Sequence, residues 1–202
     1  LKSSLSRKLA GKTVNNILTL LRSLLNMAVE LEWLFAAPKI RLLRVPEKAP
    51  VLILGPKSVA SVIQAAEPEA RWGLPALYAT ALLTGMRAGE LAGLRQWHID
   101  RTGNRICVEQ TYRGRTTKST KMRWVPLQRS LWPILGPWLE ENPLDVVFPT
   151  STGTVMCKSD RAFQEHWQSA LARASHPRTT FHNCRASFAV NYLNAGGDIY
   201  KL

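Results

Sequence analysis

The 202-residue chain has few cysteines and no long apolar run, and these two absences exclude several classes of protein. Its three cysteines, Cys107, Cys157 and Cys184, lie far apart and form no CxxC pair. That pattern argues against a disulfide framework or a zinc site, and it favours reduced thiols in a cytoplasmic setting. No stretch is long and apolar enough to cross a bilayer, and no signal peptide is recognisable, so we expect no membrane partner.

The signatures of several common catalytic sites are also missing. The sequence contains no Walker loop, no GxGxxG turn, no Ser-His-Asp set and no carboxylate cluster suited to Mg²⁺. The acids nearest to the basic motifs, Glu90 and Glu109, stand singly. We therefore expect no metal and no cofactor, and any phosphate chemistry would depend on cationic side chains.

What the chain has in excess is positive charge. It carries 27 Lys and Arg residues against 14 acids, a net charge of +13 and a pI near 10.2, and 46% of its residues are apolar. The surplus occurs both in residues 1–50 and in residues 51–202. A chain that can build a core and is this basic is typical of a protein that binds a polyanion. A solvated basic surface without a partner is the alternative.

The N-terminal part of the chain predicts one long helix followed by a linker. Residues 13–32 place apolar side chains at helical spacing, with Thr13 as a plausible N-cap. Residues 38–50 contain three prolines among basic residues and cannot be helical throughout. We place the domain boundary in this linker, which gives a first domain at 1–45 and a second at 46–202.

The second domain is predicted to be mainly helical with a small antiparallel sheet, so the fold class is α+β with a large helical share. Alternating apolar residues predict a strand at 105–110 and a partner strand at 122–127, separated by a basic hairpin or a pair of turns. Helices are predicted at about 57–67, 74–85, shortly after Arg87, 129–141, 159–174 and 180–194.

Three motifs combine charge with a defined local geometry. In "TGMRAGEL" a glycine lets one helix end and present Arg87, and Glu90 could brace the guanidinium, although a purely structural buried pair is equally possible. In "TKSTKMRWVPL" Lys118 could reach into a groove from the hairpin, and Lys121 is a nearby rival. A solvated turn lysine is the simpler explanation there.

The third motif is "FHNCRASFA", in which His182 and Arg185 are three residues apart near the start of a predicted helix. Thr179 or Thr180 could cap that helix. Free backbone N–H groups, the helix dipole and the arginine would together favour an anion. By itself, a His and an Arg on one helix face is weak evidence of function.

In this order the three motifs resemble those of the tyrosine recombinase (phage integrase) family. The likeness covers nearly the whole chain: residues 13–39 are similar to the last helix of the family's core-binding domain, and residues 51–202 to its catalytic domain. The resemblance implies a helical catalytic domain with a small antiparallel β-sheet, preceded by a long helix from a helical core-binding domain. It also implies a site-specific DNA recombinase of phage or mobile-element type.

The resemblance implies a role for each motif residue. Arg87 and Arg185 match the two catalytic arginines, which would hold non-bridging oxygens of the scissile phosphate, and Glu90 matches a supporting acid. A planar, permanently charged guanidinium suits a phosphate whose charge grows in the transition state.

Two further roles concern proton transfer. Lys118 matches the hairpin lysine that protonates the leaving 5′-oxygen, and its place eight residues before Pro126 favours it over Lys121. His182 matches the first histidine of the family's HxxR motif, which would assist proton transfer or hold the phosphate.

The implied reaction is attack of a tyrosine on a DNA phosphate, which leaves a 3′-phosphotyrosine and is reversed without ATP or metal. None of the chain's tyrosines has the expected position, so we assign no nucleophile: Tyr78, Tyr112, Tyr192 and Tyr200. The segment that should carry the nucleophile would follow Leu202, and earlier core-binding helices would precede residue 1. We therefore expect the chain as given to bind DNA without cutting it.

The implied partner is double-stranded DNA, gripped by both domains, with a homotetramer at full length and a monomer possible for this chain. A type IB topoisomerase and a DNA-binding regulator that no longer cuts are the alternatives. Phosphate contacts should dominate affinity. The candidates for these contacts are Lys12, Arg22, Arg113, Arg115, Lys121 and Arg123.

Overall fold

A computed structural model of the chain describes residues 2–46, 50–109, 122–150, 152–154 and 161–202. Its contacts divide the chain into two compact units, Leu1–Pro50 and Val51–Leu202. The assignment of residues 1–45 and 46–202 to a core-binding and a catalytic domain stays a prediction.

The first unit consists of a short helix, a long helix and an extended segment. Helix α1 spans Lys2–Ser6 and helix α2 spans Gly11–Glu30. The side-chain amide of Asn15 on α2 donates to the carbonyl of Leu43, and its oxygen accepts from the Leu43 N–H, at 2.9 and 2.7 Å. This pair of bonds holds the extended segment against the helix as a strand partner would.

Two details of α2 differ from the sequence predictions. The helix begins at Gly11 with Ala10 as its N-cap, so the prediction of Thr13 as the cap is wrong. Of the predicted apolar stripe, only Val14 and Leu18 are buried within this unit, while Leu24 is 53% exposed. Helical periodicity identifies an apolar face, but it does not say what covers that face.

The second unit is mainly helical with a small antiparallel sheet, as the sequence predicts. Its helices are α3 Pro56–Gln64, α4 Leu74–Thr84, α5 Ala88–Ala92, α6 Trp132–Glu141, α7 Arg161–Arg173 and α8 Asn183–Asn194. Short 3₁₀ turns span Glu67–Trp72, Gln96–His98, Arg129–Leu131 and Ile199–Lys201.

Helix α4 is the centre of this unit. Its sequence, "LPALYATALLT", is apolar on all sides, as expected of a helix surrounded by protein, and all but one of its residues are buried. Thr80 and Thr84 satisfy their hydroxyl groups within the helix by donating to carbonyls four residues earlier. Helices α3, α6 and α8 and the 3₁₀ turn before α4 all contact it. The position of α4 therefore fixes the position of whatever follows it.

The sheet has three antiparallel strands in the order β1 (Ile99–Asp100), β2 (Arg105–Val108) and β3 (Arg123–Pro126). Ile106 pairs with Val125, and Val108 with Arg123. The predicted strand pair is confirmed, while the two-residue strand β1 is too short to leave an alternating pattern. Because side chains alternate along β3, Arg123 shares the face of the partly buried Val125, and Trp124 shares the opposite face with the exposed Pro126.

Aromatic side chains fill the core between α4 and α7. The ring of the fully buried Trp167 contacts Tyr78 and Phe181 edge-on, with centroids 5.0 and 5.3 Å apart. The Trp167 indole N–H donates to the carbonyl of Thr179 at 2.8 Å, which fixes the segment before α8. Within the described residues no helix combines the length and apolarity needed to cross a membrane.

Candidate active site

The candidate site begins at the break between α4 and α5. Helix α4 ends at Gly85, whose φ of +64° is a conformation that favours glycine, and the Gly85 N–H closes the helix on the carbonyl of Ala81. Met86 is buried, and Arg87 follows in extended conformation as the N-cap of α5. The chain thus turns sharply and presents Arg87 at the start of a new helix, as the sequence predicts.

Helix α8 packs directly against this turn. A Cβ atom at Gly85 would lie 2.4 Å from the ring of Phe188, so only glycine permits the observed approach. Arg185, one turn earlier on α8, donates from Nη1 to the Gly85 carbonyl oxygen at 2.7 Å. Gly85 therefore ends α4, allows the close approach of α8 and accepts the hydrogen bond that holds Arg185.

Glu90 is the acceptor around which the site is built. Its side chain is only 2% exposed, and its two oxygens accept four hydrogen bonds. Arg87 donates from its backbone N–H at 2.8 Å and from Nη1 at 2.9 Å. Arg123 donates from Nη1 at 3.0 Å and from Nη2 at 2.7 Å, in a two-pronged pairing. Each carboxylate oxygen thus has one donor from each arginine.

The bond from the Arg87 N–H also explains why a glutamate stands at this position. A glutamate at the third residue of a helix can accept from the N-cap backbone N–H, which otherwise has no partner in the first turn. Glu90 fills that role for α5 and meets the Arg87 side chain as well. The predicted brace between Glu90 and the guanidinium is present.

The electrostatics of Glu90 follow from these contacts. Burial favours the neutral acid and would raise the pKa of Glu90, but the hydrogen bonds from Arg123 and Arg87 outweigh burial and leave its pKa below the ordinary value. Glu90 is therefore ionised at neutral pH. It supplies one negative charge to the two arginines that it binds.

Arg185 brings a third positive charge to the same place. Burial lowers the pKa of Arg185, repulsion from Arg87 and from Arg123 lowers it further, and attraction to Glu90 offsets part of this. We call these four residues the arginine cluster: Arg87, Glu90, Arg123 and Arg185. Three positive charges against one negative charge leave a surplus of two positive charges, which an anion would relieve.

Free donors remain within the cluster. Among the hydrogen bonds between described residues, Arg87 and Arg185 each use a single guanidinium nitrogen, Nη1, which leaves Nε and Nη2 of both side chains available. The Arg87 side chain is 56% exposed, so its free edge is accessible to solvent. Planar N–H pairs of this kind match the oxygens of a phosphate.

His182 lies at the start of α8, and among the described residues its imidazole makes no hydrogen bond to the cluster. It is exposed and is the N-cap of α8, and its carbonyl oxygen accepts the N–H of Arg185 at 3.2 Å. The predicted cap by Thr179 or Thr180 is wrong, because both hydroxyl groups bond instead to the side chain of Asn183. His182 and Arg185 share the first turn of the helix, and the role of His182 stays a prediction.

Several predicted site residues lie outside the described part of the chain: Arg113, Arg115, Lys118 and Lys121. Of the other predicted DNA contacts, Lys12 and Arg22 are exposed on α2. Arg123 differs from them, because the two terminal nitrogens of its guanidinium are committed to Glu90. Arg123 lies on the same face of β3 as the partly buried Val125, which brings its side chain toward Glu90.

A histidine just before β1, which the sequence analysis did not single out, bonds to the residue that follows β2. His98 is 4% exposed, and its Nδ1 accepts the Arg95 N–H at 3.0 Å. Nδ1 therefore carries no proton, so the proton is on Nε2 and is donated to Glu109 Oε1 at 3.0 Å. Glu109 directly follows Val108, so this bond holds the end of β2. The sequence indicated a single acid at 109 but no partner for it.

The tyrosines in the described residues have different environments. Tyr78 is fully buried with no partner for its hydroxyl among the described residues, and burial raises its pKa. Tyr192 stacks on Phe188 with centroids 5.9 Å apart, and Tyr200 is 95% exposed. Tyr112 lies outside the described residues. The absence of an assigned nucleophile stays a prediction.

Comparison with known proteins supports the resemblance seen in the motifs. The profile described as "Phage integrase family" matches residues 53–202, about three quarters of the chain. A curated protein of Sinorhizobium fredii (strain NBRC 101917 / NGR234), designated integrase/recombinase y4qK, is 28% identical over 195 residues. That match covers 96% of this chain and 59% of the relative, so the chain spans a little over half of the relative's length.

Solved structures show the same fold. The Tn1549 transposon integrase in complex with circular intermediate DNA matches 99% of this chain and 72% of its own, with a TM-score of 0.81 at 19% identity. A lambda integrase dimer bound to a COC′ core site matches 98% of this chain and 73% of its own, with a TM-score of 0.74 at 17% identity. XerA recombinase matches 78% and 55%, with a TM-score of 0.62 at 24% identity.

Proposed function

Because the chain belongs to the phage integrase family, the tyrosine recombinases, we propose that it is the phosphate-binding part of an enzyme that cuts and rejoins DNA at specific sites. The observation that carries this proposal is the arginine cluster. Two arginines with free donors lie near one buried carboxylate: Arg87 is held by Glu90 and Arg185 by the Gly85 carbonyl, and the cluster keeps a surplus of positive charge. A scissile phosphate in double-stranded DNA is the anion proposed to fill it.

In the proposed reaction Arg87 and Arg185 bind the two non-bridging oxygens of the phosphate. A tyrosine oxygen attacks phosphorus, the bond from phosphorus to the 5′-oxygen breaks, and the DNA is left with a 3′-phosphotyrosine. Negative charge grows on the phosphate oxygens as this happens, so donors fixed in advance stabilise the transition state more than the ground state. Both arginines are fixed in advance here, one by Glu90 and the other by the Gly85 carbonyl.

Two protons must move in this step. The tyrosine loses one as it attacks, and the leaving 5′-oxygen gains one. We propose Lys118 as the donor to the 5′-oxygen and His182 as the group that assists proton transfer near the phosphate. Because the phosphotyrosine bond conserves the energy of the broken bond, reversal by a 5′-hydroxyl rejoins the strand without ATP. The nucleophile is left unassigned among the tyrosines of this chain.

The test is a cleavage assay on the natural full-length protein with a nicked duplex carrying the cognate site, which traps the covalent intermediate. We expect protein linked to the 3′-end of the DNA, with chelator present. A requirement for added Mg²⁺, or linkage to the 5′-end, would contradict the mechanism. Relaxation of plasmids that lack the site would favour a type IB topoisomerase instead.

Arg87→Ala tests the cluster itself. Loss of one such donor lowers the cleavage rate about 100- to 1,000-fold, while duplex affinity should change little because many other cations contact the backbone. Glu90 keeps its pairing with Arg123 in this variant, so the fold should survive. Arg105→Ala is the control, because Arg105 is also an arginine paired with an acid, Asp100, but lies on the small sheet outside the cluster. An unchanged cleavage rate in Arg87→Ala would refute the role of Arg87.

A further inference from the structure

Arg123 differs from the other two arginines of the cluster in how its donors are used. It gives both terminal nitrogens, Nη1 and Nη2, to Glu90. Arg87 gives one guanidinium nitrogen to Glu90, and Arg185 gives one to the Gly85 carbonyl. The two-pronged end of Arg123, which is the part best suited to grip a phosphate, is therefore already occupied.

The supports of Arg123 and Arg87 also differ. Arg123 is the first residue of β3 and is paired with Val108 on β2, so its backbone belongs to a sheet whose inner face is packed in the core. Arg87 caps α5, a helix of five residues. A helix this short does not hold its own shape in water, so the position of Glu90 and Arg87 must be set from outside the helix. The pairing from Arg123 supplies such a contact.

Resting on the proposed function, we propose that Arg123 is a positioning residue of this site, which orients Glu90 and thereby keeps the free edge of Arg87 available for phosphate. It is not itself a phosphate ligand, in contrast to the DNA contact predicted from the sequence.

The reason lies in the acceptor capacity of Glu90. A carboxylate offers about four acceptor sites, and all four are filled, two by Arg87 and two by Arg123. Without Arg123, two acceptor sites on a buried anion would be open beside Arg87. The remaining donors of Arg87 are the nearest means of filling them, and a guanidinium that pairs fully with Glu90 has fewer donors left for phosphate. Arg123 therefore keeps the remaining donors of Arg87 free for phosphate, because it fills the acceptor sites of Glu90 that those donors would otherwise bind.

The experiment follows the arginine Nε–H signals of the isotope-labelled 202-residue chain by NMR while inorganic phosphate is added. In the unaltered chain we expect the signals of Arg87 and Arg185 to shift and that of Arg123 to stay. Arg123→Lys keeps the positive charge but loses the two-pronged guanidinium fork. In this variant the phosphate affinity measured from the Arg87 signal should be roughly tenfold weaker. The response of Arg185 should change much less, because the Gly85 carbonyl holds it independently.

Arg105→Lys is the matched control, since Arg105 lies on the neighbouring strand and pairs with Asp100. It should leave all three responses unchanged. A merely structural role for Arg123 would weaken the responses of Arg87 and Arg185 alike, together with the melting temperature. That result overturns the proposal, as does an undiminished response of Arg87 in Arg123→Lys.

A measurement on the unaltered chain keeps the proposal testable should the variant fail to fold. Rotation about the Cζ–Nη bonds of Arg123 should be slow both before and after phosphate is added, because Glu90 holds the fork. Release of the fork by phosphate, or a large shift of the Arg123 Nε–H signal, would show a phosphate ligand and overturn the proposal. If no arginine of the cluster responds in the unaltered chain, the phosphate site fails and the inference fails with it. If the arginines of the unaltered chain respond to phosphate as expected and Arg87 binds phosphate equally well in Arg123→Lys, only the positioning role of Arg123 is refuted and the phosphate site stands.

Discussion

Glu90→Gln is the substitution that most directly probes the arginine cluster. Glutamine keeps the shape of the side chain but removes the negative charge and replaces one acceptor oxygen by an amide NH₂ group, which is a donor. Two of the four donors that meet Glu90 would then face another donor. The substitution thus leaves three arginines close together without their shared anion.

The expected cost follows from burial. Removing one partner of a buried ion pair costs about 3–5 kcal/mol. The arginine side chains are 56% and 36% exposed at Arg87 and Arg123 and can regain water, so we expect a smaller loss of unfolding free energy, about 2–3 kcal/mol. For a unit of this size that corresponds to a fall in melting temperature of roughly 4–12 °C. Calorimetry of the chain and its variant measures it.

The pH dependence gives the prediction a second signature. The pKa of Glu90 is lowered in the folded state, so its stabilisation is fully present above the unfolded carboxyl value of about 4.3 and is lost as pH falls through the folded value. The difference in melting temperature between the chain and Glu90→Gln should therefore be constant near neutral pH and narrow in acid. Glu141→Gln, an exposed site at the end of α6, is the control and should cost at most about 0.5 kcal/mol. Equal melting temperatures for the chain and Glu90→Gln, or a difference that does not narrow in acid, would refute the reasoning.

Three other predictions test the framework around the cluster. Gly85→Ala should destabilise the fold by about 1–3 kcal/mol more than Gly196→Ala in denaturant titrations, because both glycines have positive φ but only the first faces an aromatic ring at 2.4 Å; equal losses would contradict this. Nitrogen NMR should find the neutral ring of His98 protonated at Nε2, and a proton on Nδ1 would disprove the assigned bonds. Cys107 and Cys184 are buried and burial raises the pKa of both thiols, so at pH 8 mass spectrometry should find both alkylated more slowly than in the unfolded chain; equal rates in the folded and unfolded chains would contradict the burial of these thiols.

Local features of the second unit could be predicted from sequence because their signals are local. An apolar run bounded by glycine gave helix 74–85, and the structure has Leu74–Thr84. Alternation gave the strand pair that includes Ile106 and Val125. The glycine turn before Arg87 and the bracing acid three residues later are likewise contained in a few consecutive residues.

The rest of the site depends on contacts between distant residues, which no single stretch of sequence encodes. Arg123 and Glu90 are 33 residues apart, so the sequence predicts a DNA contact for Arg123 and a local pair with Arg87 for Glu90, but not the pairing between Arg123 and Glu90. The caps predicted at Thr13 and at Thr179 or Thr180 were wrong for a related reason. Several adjacent residues could start either helix, and packing elsewhere decides which of them does. The exposed apolar side chains on α2 show the same limit of sequence-based prediction. Their periodicity identifies the apolar face of the helix, but it does not identify what packs against that face.

The bond between Arg185 and the Gly85 carbonyl joins residues 100 positions apart. Closing a loop costs conformational entropy before the contact repays it, and contacts between residues far apart in sequence slow folding. During synthesis, the stretch up to Gly85 leaves the ribosome long before α8 exists. A growing chain that already carries Arg87 therefore lacks the second arginine of the cluster. The phosphate site proposed here needs both arginines, so it would be absent from nascent and partly folded chains. It would form only when α8 packs against Gly85, so that phosphate binding would depend on completion of the fold.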